Sequence, residues 1–248
     1  MILPFQYIKN GRELGGLTAA GGKKTKCCLL LRTGELFTAD EKEILSLSED
    51  YKIKTVIDFR DISECEIRPD KEIPGAVYHQ IPILPPQPEE MRNKLMTMLM
   101  HEPKATFLRI YENIAENNDA PAAYRKFFQV ILENQGAPLL YHCRQGKDRT
   151  GIASILLLSA LGVPEEEVLK DYFMTNELLK ADFEALKAQG TPEEQLIKAR
   201  EILFVSDECV HGYLGLLKKN WGGVEGYLQG ALCLGQDDLT TLRAIYTE

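Results

Sequence analysis

The 248 residues carry 29 Lys and Arg against 37 Asp and Glu, a net charge of −8, with 44% hydrophobic and 27% charged positions. That is ordinary globular material, long enough to bury a full core, and its acidic surface repels nucleic acid and anionic membranes at long range, so any attraction for phosphate must be local. No stretch approaches the roughly 18 apolar residues a membrane span needs, and no basic-then-apolar leader opens the chain, so a cytoplasmic protein, or one exported without a cleaved signal, is expected.

The first strand signal is Lys26 to Leu31, after a lysine-rich stretch (Lys23, Lys24, Lys26) and including Cys27-Cys28, read as a half-buried strand pair. Thr38-Ala39-Asp40-Glu41 has the spacing of a capping box and predicts a helix through Leu47. Strands follow at Lys54 to Phe59 and Ala76 to Ile81. Residues 83–120 interrupt the alternation: prolines 82, 85, 86 and 88 lead into Met91, Met96, Met98 and Met100. This stretch reads as a helical insertion whose methionines fill core, placed where it can also serve as a lid. Pro138 to Tyr141 is a further strand. A helix from Thr150 through the apolar run Ile152 to Leu158 stops at Gly162-Val163-Pro164. Residues 177–205 are polar and helical, with Thr191-Pro192-Glu193-Glu194 as a helix start. Ser206-Asp207-Glu208 and Asp237-Asp238 start two more helices, and Gly222-Gly223 breaks the run. Strands alternating with helices predict an α/β fold, a mainly parallel central sheet flanked by helices. The expected organisation is one domain over 1–248 with helical insertions at about 83–120 and 177–205.

Between the last strand and its helix lies His142-Cys143-Arg144-Gln145-Gly146-Lys147-Asp148-Arg149-Thr150-Gly151. A helix N-terminus offers unpaired N–H groups and partial positive charge, and a loop ahead of it can wrap further amides around an anion. Gly146 allows the backbone conformation such a loop needs. The same environment favours a thiolate at Cys143, the reactive form of cysteine. Arg149, six residues on, can return its planar fork to the same anion, and Lys147 adds a point charge. The arrangement suits a phosphate dianion held by amides and attacked by sulfur.

The stretch resembles the Cys-x5-Arg signature of the protein tyrosine phosphatase superfamily. Its Gly-Lys-Asp-Arg-Thr-Gly core is similar to that of the bacterial tyrosine/serine phosphatases, some of which also act on phosphoinositides. The likeness extends along the chain, through Asn10-Gly-Arg12-Glu13-Leu14-Gly15-Gly16, Arg32-Thr33-Gly34-Glu35-Leu36, Val56-Ile57-Asp58-Phe59-Arg60 with Glu66 and Pro69-Asp70, and Asp171-Tyr172 with Thr175-Asn176. Glu13 and Thr33 replace the usual Asp and Ser, and residues 17–28 depart from the pattern. The resemblance implies a protein tyrosine phosphatase-like fold and a phosphatase acting on phosphotyrosine, with phosphoserine, phosphothreonine and phosphoinositides as further substrates.

On this reading Cys143 is the nucleophile, Arg149 the phosphate clamp and Asp148 the general acid, the loop aspartate being the one this family uses. Asp61, after the strand ending at Phe59, is the second candidate acid. Arg144, Gln145, Gly146, Lys147, Thr150 and Gly151 bind the phosphate, and Thr150 is placed to hydrogen-bond the thiolate. Asp58 and Arg60 brace the loop, and His142 orients it. Tyr111 is available to stack on a phenol ring or to pack in the core. The cysteines at 27, 28, 65, 143, 209 and 233 lack a disulfide pattern and read as reduced thiols, with Cys65 weighed as a trap for oxidised Cys143. The four histidines lack metal spacing, and the chemistry calls for no metal or other cofactor. The contrasting reading keeps the site but not the turnover, as a phosphate-binding module. Oligomeric state is not legible.

Overall fold

The computed structural model describes residues 1–248. Five strands form the sheet: β1 (Arg12–Glu13), β2 (Leu30–Thr33), β3 (Thr55–Asp58), β4 (Val77–Gln80) and β5 (Leu139–His142). Their spatial order is β1-β2-β5-β3-β4, with β1 antiparallel to β2 and every other pairing parallel. The sheet is therefore mainly parallel with an antiparallel edge.

Alternation along the strands explains the two layers. Leu30, Ile57, Leu139 and Tyr141 point into the larger core, while Leu31, Val56 and Leu140 point into a smaller one with Leu3, Ile8, Leu36, Ile44 and Leu47. The smaller face is covered by helix α1 (Glu41–Glu49) and the N-terminal segment. α2 (Ile62–Ile67) follows β3 directly. The larger face is covered by α4 (Pro103–Glu116), α5 (Asp119–Glu133), α6 (Asp148–Ala160), α7 (Glu165–Leu178), α10 (Asp207–Trp221), α11 (Val224–Gly230) and α12 (Gln236–Tyr246). α3 (Glu89–His101), α8 (Lys180–Ala188) and α9 (Glu193–Leu203) lie outside this layer. α6 buries residues all round, as a central helix must. It stops in a Schellman turn: Val163 N–H donates to Leu158 O and Gly162 N–H to Ser159 O, with Gly162 at φ +79°.

Several local expectations need correction. The strand expected at Lys26 starts at Leu30, because Lys24 and Lys26 pair with the C-terminal residues instead. Cys27-Cys28 is not a half-buried strand pair: both are exposed, Cys28 sits at φ +61°, and its N–H donates to the Glu13 side chain at 2.6 Å. The capping box of α1 is Asp40 with Glu43, since the Thr38 hydroxyl is committed to Tyr7 O. α6 begins at Asp148 rather than Thr150. The Met-rich α3 buries no residue, so its methionines are not core filler; α4 is the part of the insertion that enters the core, with Tyr111 and Ile114 buried. No helix is long and apolar enough to cross a membrane.

Candidate active site

β5 is the central strand, and Thr33 of β2 and Asp58 of β3 both register with its last residue, His142. Three strand ends therefore open together at the carboxyl edge of the sheet, where ligands of α/β folds bind. The chain leaves the sheet at Cys143, which is buried. From Arg144 through Thr150 no backbone N–H has a protein acceptor; the first paired amide is Gly151, on Lys147 O at 2.6 Å.

The carbonyls of the loop are tied down. Asn10 Nδ2 donates to Gln145 O (3.2 Å) and Gly146 O (2.8 Å), Arg32 Nη2 donates to Gly146 O (2.7 Å), and Glu35 N–H donates to Arg144 O (3.1 Å). Acceptors held and donors left free make an anion nest at the start of a 13-residue helix. Gly146 is required here: it has φ +64°, and a Cβ would lie 2.2 Å from Thr33 O. Gly151 lets the helix approach Tyr172, whose ring would be 3.1 Å from an added Cβ.

Arg149 is partly buried and gripped end-on by Glu64, with Nη1 to Oε2 at 2.6 Å and Nη2 to Oε1 at 2.9 Å. Burial works against its charge, but Glu64 outweighs that and raises its pKa further. Burial would raise the Glu64 carboxyl, and Arg149 more than reverses it, so the acid is held below the usual range. Glu64 is itself anchored in the capping box of α2, where its side chain accepts from Asp61 N–H and Asp61 accepts from Glu64 N–H. Asp61 thus caps α2. Glu64 is absent from the residues the sequence singles out; the Asp61-Ile62-Ser63-Glu64 box pattern is its only local signal.

Asp148 is half-buried, and the Tyr111 hydroxyl donates to its Oδ1 at 3.0 Å. Tyr111 also meets the Tyr172 hydroxyl at 2.8 Å, so an α4 and an α7 tyrosine form a chain of donors ending on the carboxyl. Tyr111 is fully buried there and is not placed to stack on a substrate ring. Lys147 is buried; its Nζ donates to Ile202 O at the end of α9, lies 4.0 Å from the Phe107 ring centroid and is 3.7 Å from Asp148 Oδ2. Burial lowers its pKa, and Asp148 only partly offsets this. Arg144 is exposed and Gln145 half-buried. Thr150 Oγ1 is buried without a protein partner.

Two charged clusters flank the loop. On the β3 side, Arg60 meets Asp58 (Nη2–Oδ2 2.7 Å), Glu35 (3.0 Å) and Asp70 (2.8 Å). His142 Nε2 lies 3.0 Å from Asp70 Oδ2, an ion-pair contact rather than an aligned hydrogen bond. Burial would lower the His142 pKa, but Asp58 and Asp70 raise it to about 9. The Asp58 carboxyl, also bonded by Tyr78, is penalised by burial yet held well below its usual range by His142 and Arg60. Asp58, Asp70 and His142 also form a trio of metal-ligand type, which spacing did not reveal, but Arg60 already pairs both carboxylates. On the β2 side, Asp171 of α7 receives Arg12 Nε (2.7 Å) and Arg32 Nη1 (2.9 Å). Arg12 also reaches Asn10 Oδ1 (2.6 Å) and Thr175 Oγ1 (3.2 Å).

A family model described as the tyrosine phosphatase family matches residues 3–248. A protein of Cupriavidus necator named a putative tyrosine-protein phosphatase is 30% identical, over 98% of this chain and 88% of that one. The triple specificity protein phosphatase PtpB of Mycobacterium tuberculosis is 27% identical, over 49% of this chain and 48% of its own. The solved structure of TpbA of P. aeruginosa in complex with pTyr aligns with 78% of this chain and 89% of that one, at 13% identity and a TM-score of 0.30. The match from residue 3 to the last residue, with relatives that carry the same name, shows that this chain belongs to the tyrosine phosphatase family and is an enzyme of the phosphoric monoester hydrolase class.

Proposed function

We propose that the protein hydrolyses phosphotyrosine in proteins by a two-step transfer through a cysteinyl-phosphate on Cys143. The observation that carries this is the run of free amides from Arg144 through Thr150 around a buried cysteine. Those donors and the Arg149 fork stabilise three equatorial phosphoryl oxygens without reorganisation. In the first step Cys143 Sγ attacks phosphorus, an S–P bond forms, the P–O bond to tyrosine breaks, and Asp148 gives its proton to the leaving oxygen. In the second step the Asp148 carboxylate takes a proton from water, the water oxygen attacks phosphorus, and the thiolate leaves. Thr150 Oγ1, buried and unpartnered, is available to stabilise that thiolate. The residues supply the nucleophile, the charge stabilisation and the acid, so the reaction as written uses no metal ion.

The test is turnover of p-nitrophenyl phosphate and of a phosphotyrosine peptide in EDTA. Cys143→Ser should lower kcat by a factor on the order of 10³ or more. Turnover that survives this substitution refutes the mechanism. Asp148→Asn should lose most on poor leaving groups and little on p-nitrophenol; equal losses on both assign the proton to another group.

A further inference from the structure

Lys147 stands in the loop as a candidate phosphate ligand, but its ammonium is spent elsewhere. The side chain is 1% exposed. An ammonium has three N–H donors, and three neighbours meet this one: Ile202 O, which accepts from Nζ, the Phe107 ring at 4.0 Å from its centroid, and Asp148 Oδ2 at 3.7 Å. Ile202 lies in the last turn of α9, where carbonyls lack intrahelical partners and the helix end is negative. Lys147 therefore caps α9 from inside the phosphate loop. α9 has little else to hold it, since it buries only Leu196 and the neighbouring α8 buries no residue.

A buried cation needs a counter-charge, and the carboxylate that meets this one is Asp148. The two oxygens of Asp148 are treated differently. Oδ1 accepts from the Tyr111 hydroxyl at 3.0 Å, while Oδ2 accepts no hydrogen bond from the protein and faces the ammonium. Oδ2 is thus the oxygen free to carry a transferable proton. Once that proton leaves, the new negative charge sits beside a fixed positive one, away from bulk water, where the attraction is stronger than in solution.

We propose that Lys147 is a positioning residue for Asp148 and not a ligand of the substrate phosphate: anchored on the end of α9, it holds a positive charge beside the carboxylate that forms when Asp148 protonates the leaving oxygen. This rests on Asp148 serving as the acid. The ammonium keeps its three protons throughout, so no bond to Lys147 forms or breaks. Its effect is confined to proton transfer and grows as the leaving group becomes poorer.

The test compares kcat/KM on p-nitrophenyl phosphate and phenyl phosphate, together with competitive inhibition by inorganic phosphate. Lys147→Met should cost roughly three- to tenfold more on phenyl phosphate than on p-nitrophenyl phosphate and leave the phosphate inhibition constant within about twofold. Lys147→Gln, also neutral but able to donate to Ile202 O, should show the same bias; unfolding midpoints are measured for both, and the glutamine variant carries the test if the methionine variant does not fold. In an Asp148→Asn background neither substitution should add further bias, because the two side chains then act as one unit. Equal losses on the two substrates, a phosphate inhibition constant raised by about tenfold, or a bias undiminished in the Asp148→Asn background overturn the assignment. If Asp148→Asn alone shows no bias, the acid assignment falls and this inference with it; if it does and the Lys147 variants do not, this inference alone falls.

Discussion

The two charged clusters beside the phosphate loop are built on opposite arithmetic. On the β2 side one carboxylate, Asp171, serves two arginines, and neutral acceptors such as Asn10, Thr175 and Ser154 take further N–H groups, while Arg32 Nε is left without a partner. On the β3 side three carboxylates, Asp58, Glu35 and Asp70, surround Arg60 and a protonated histidine. Each side also reaches one residue of the proposed site. The α7 side extends through Tyr172 and Tyr111 to Asp148, and the α2 side presents Glu64 to Arg149. The lesson is that the proposed acid, Asp148, and the proposed phosphate clamp, Arg149, are held by separate parts of the molecule. One of those parts contains a histidine, His142, whose pKa its carboxylate neighbours raise to about 9; the other contains no histidine.

The comparison breaks most sharply at Asp171. Asp171→Asn leaves two buried guanidinium groups without a counter-charge and should cost about 3–5 kcal/mol, read as a lower midpoint in urea denaturation. Asp70→Asn should cost less, because Asp58 and Glu35 still face Arg60. A loss no larger at Asp171 than at Asp70 would mean that the sharing of one carboxylate is unimportant.

The next effect is a pH dependence confined to the β3 side. The folded pKa of His142, about 9, lies above the ordinary histidine value of about 6.5. Its contribution is therefore fully present below pH 6.5 and is lost as pH rises through 9. A loss on the order of 2–3 kcal/mol across that window is expected in the wild type. It should be absent in His142→Gln, and a flat wild-type profile would contradict the ion-pair assignment.

These pairings show why the loop was legible in the sequence and its support was not. The residues from His142 to Gly151 are contiguous, and the helix start, the required glycine and the cysteine-to-arginine spacing are local properties. The alternation of strands and helices likewise gave the mainly parallel sheet. Arg12 and Asp171 lie 159 positions apart, and Arg149 and Glu64 lie 85 apart. No local periodicity reports such a pair. Thr38 and Cys27-Cys28 depart from expectation for the same reason, since distant segments claim their hydrogen bonds: Tyr7 O takes the Thr38 hydroxyl, the Glu13 side chain takes the Cys28 N–H, and the C-terminal residues pair with the neighbouring Lys24 and Lys26.

The smallest effects separate the two working residues. Glu64→Gln keeps a partner for Arg149 but removes its charge, and should lower kcat/KM by about tenfold on good and poor leaving groups alike. Tyr111→Phe removes one hydrogen bond to Asp148 and should cost about two- to tenfold, on poor leaving groups only. Equal sensitivity of both variants to the leaving group would merge the two supports into one.

The strand order has a consequence for how the enzyme comes into being. β2 and β3 do not touch each other; each pairs in parallel with β5, which follows them by about eighty residues or more in the chain. During synthesis the two halves of the sheet must wait, with a gap between them, until residues 139–142 have left the ribosome. Such non-local, parallel pairing is slow to form and leaves strand edges open meanwhile. The strand that closes the gap also delivers Cys143 to its nest. The proposed nucleophile is therefore placed by the same event that completes the sheet, and a nascent chain short of that point lacks the loop proposed to bind phosphate.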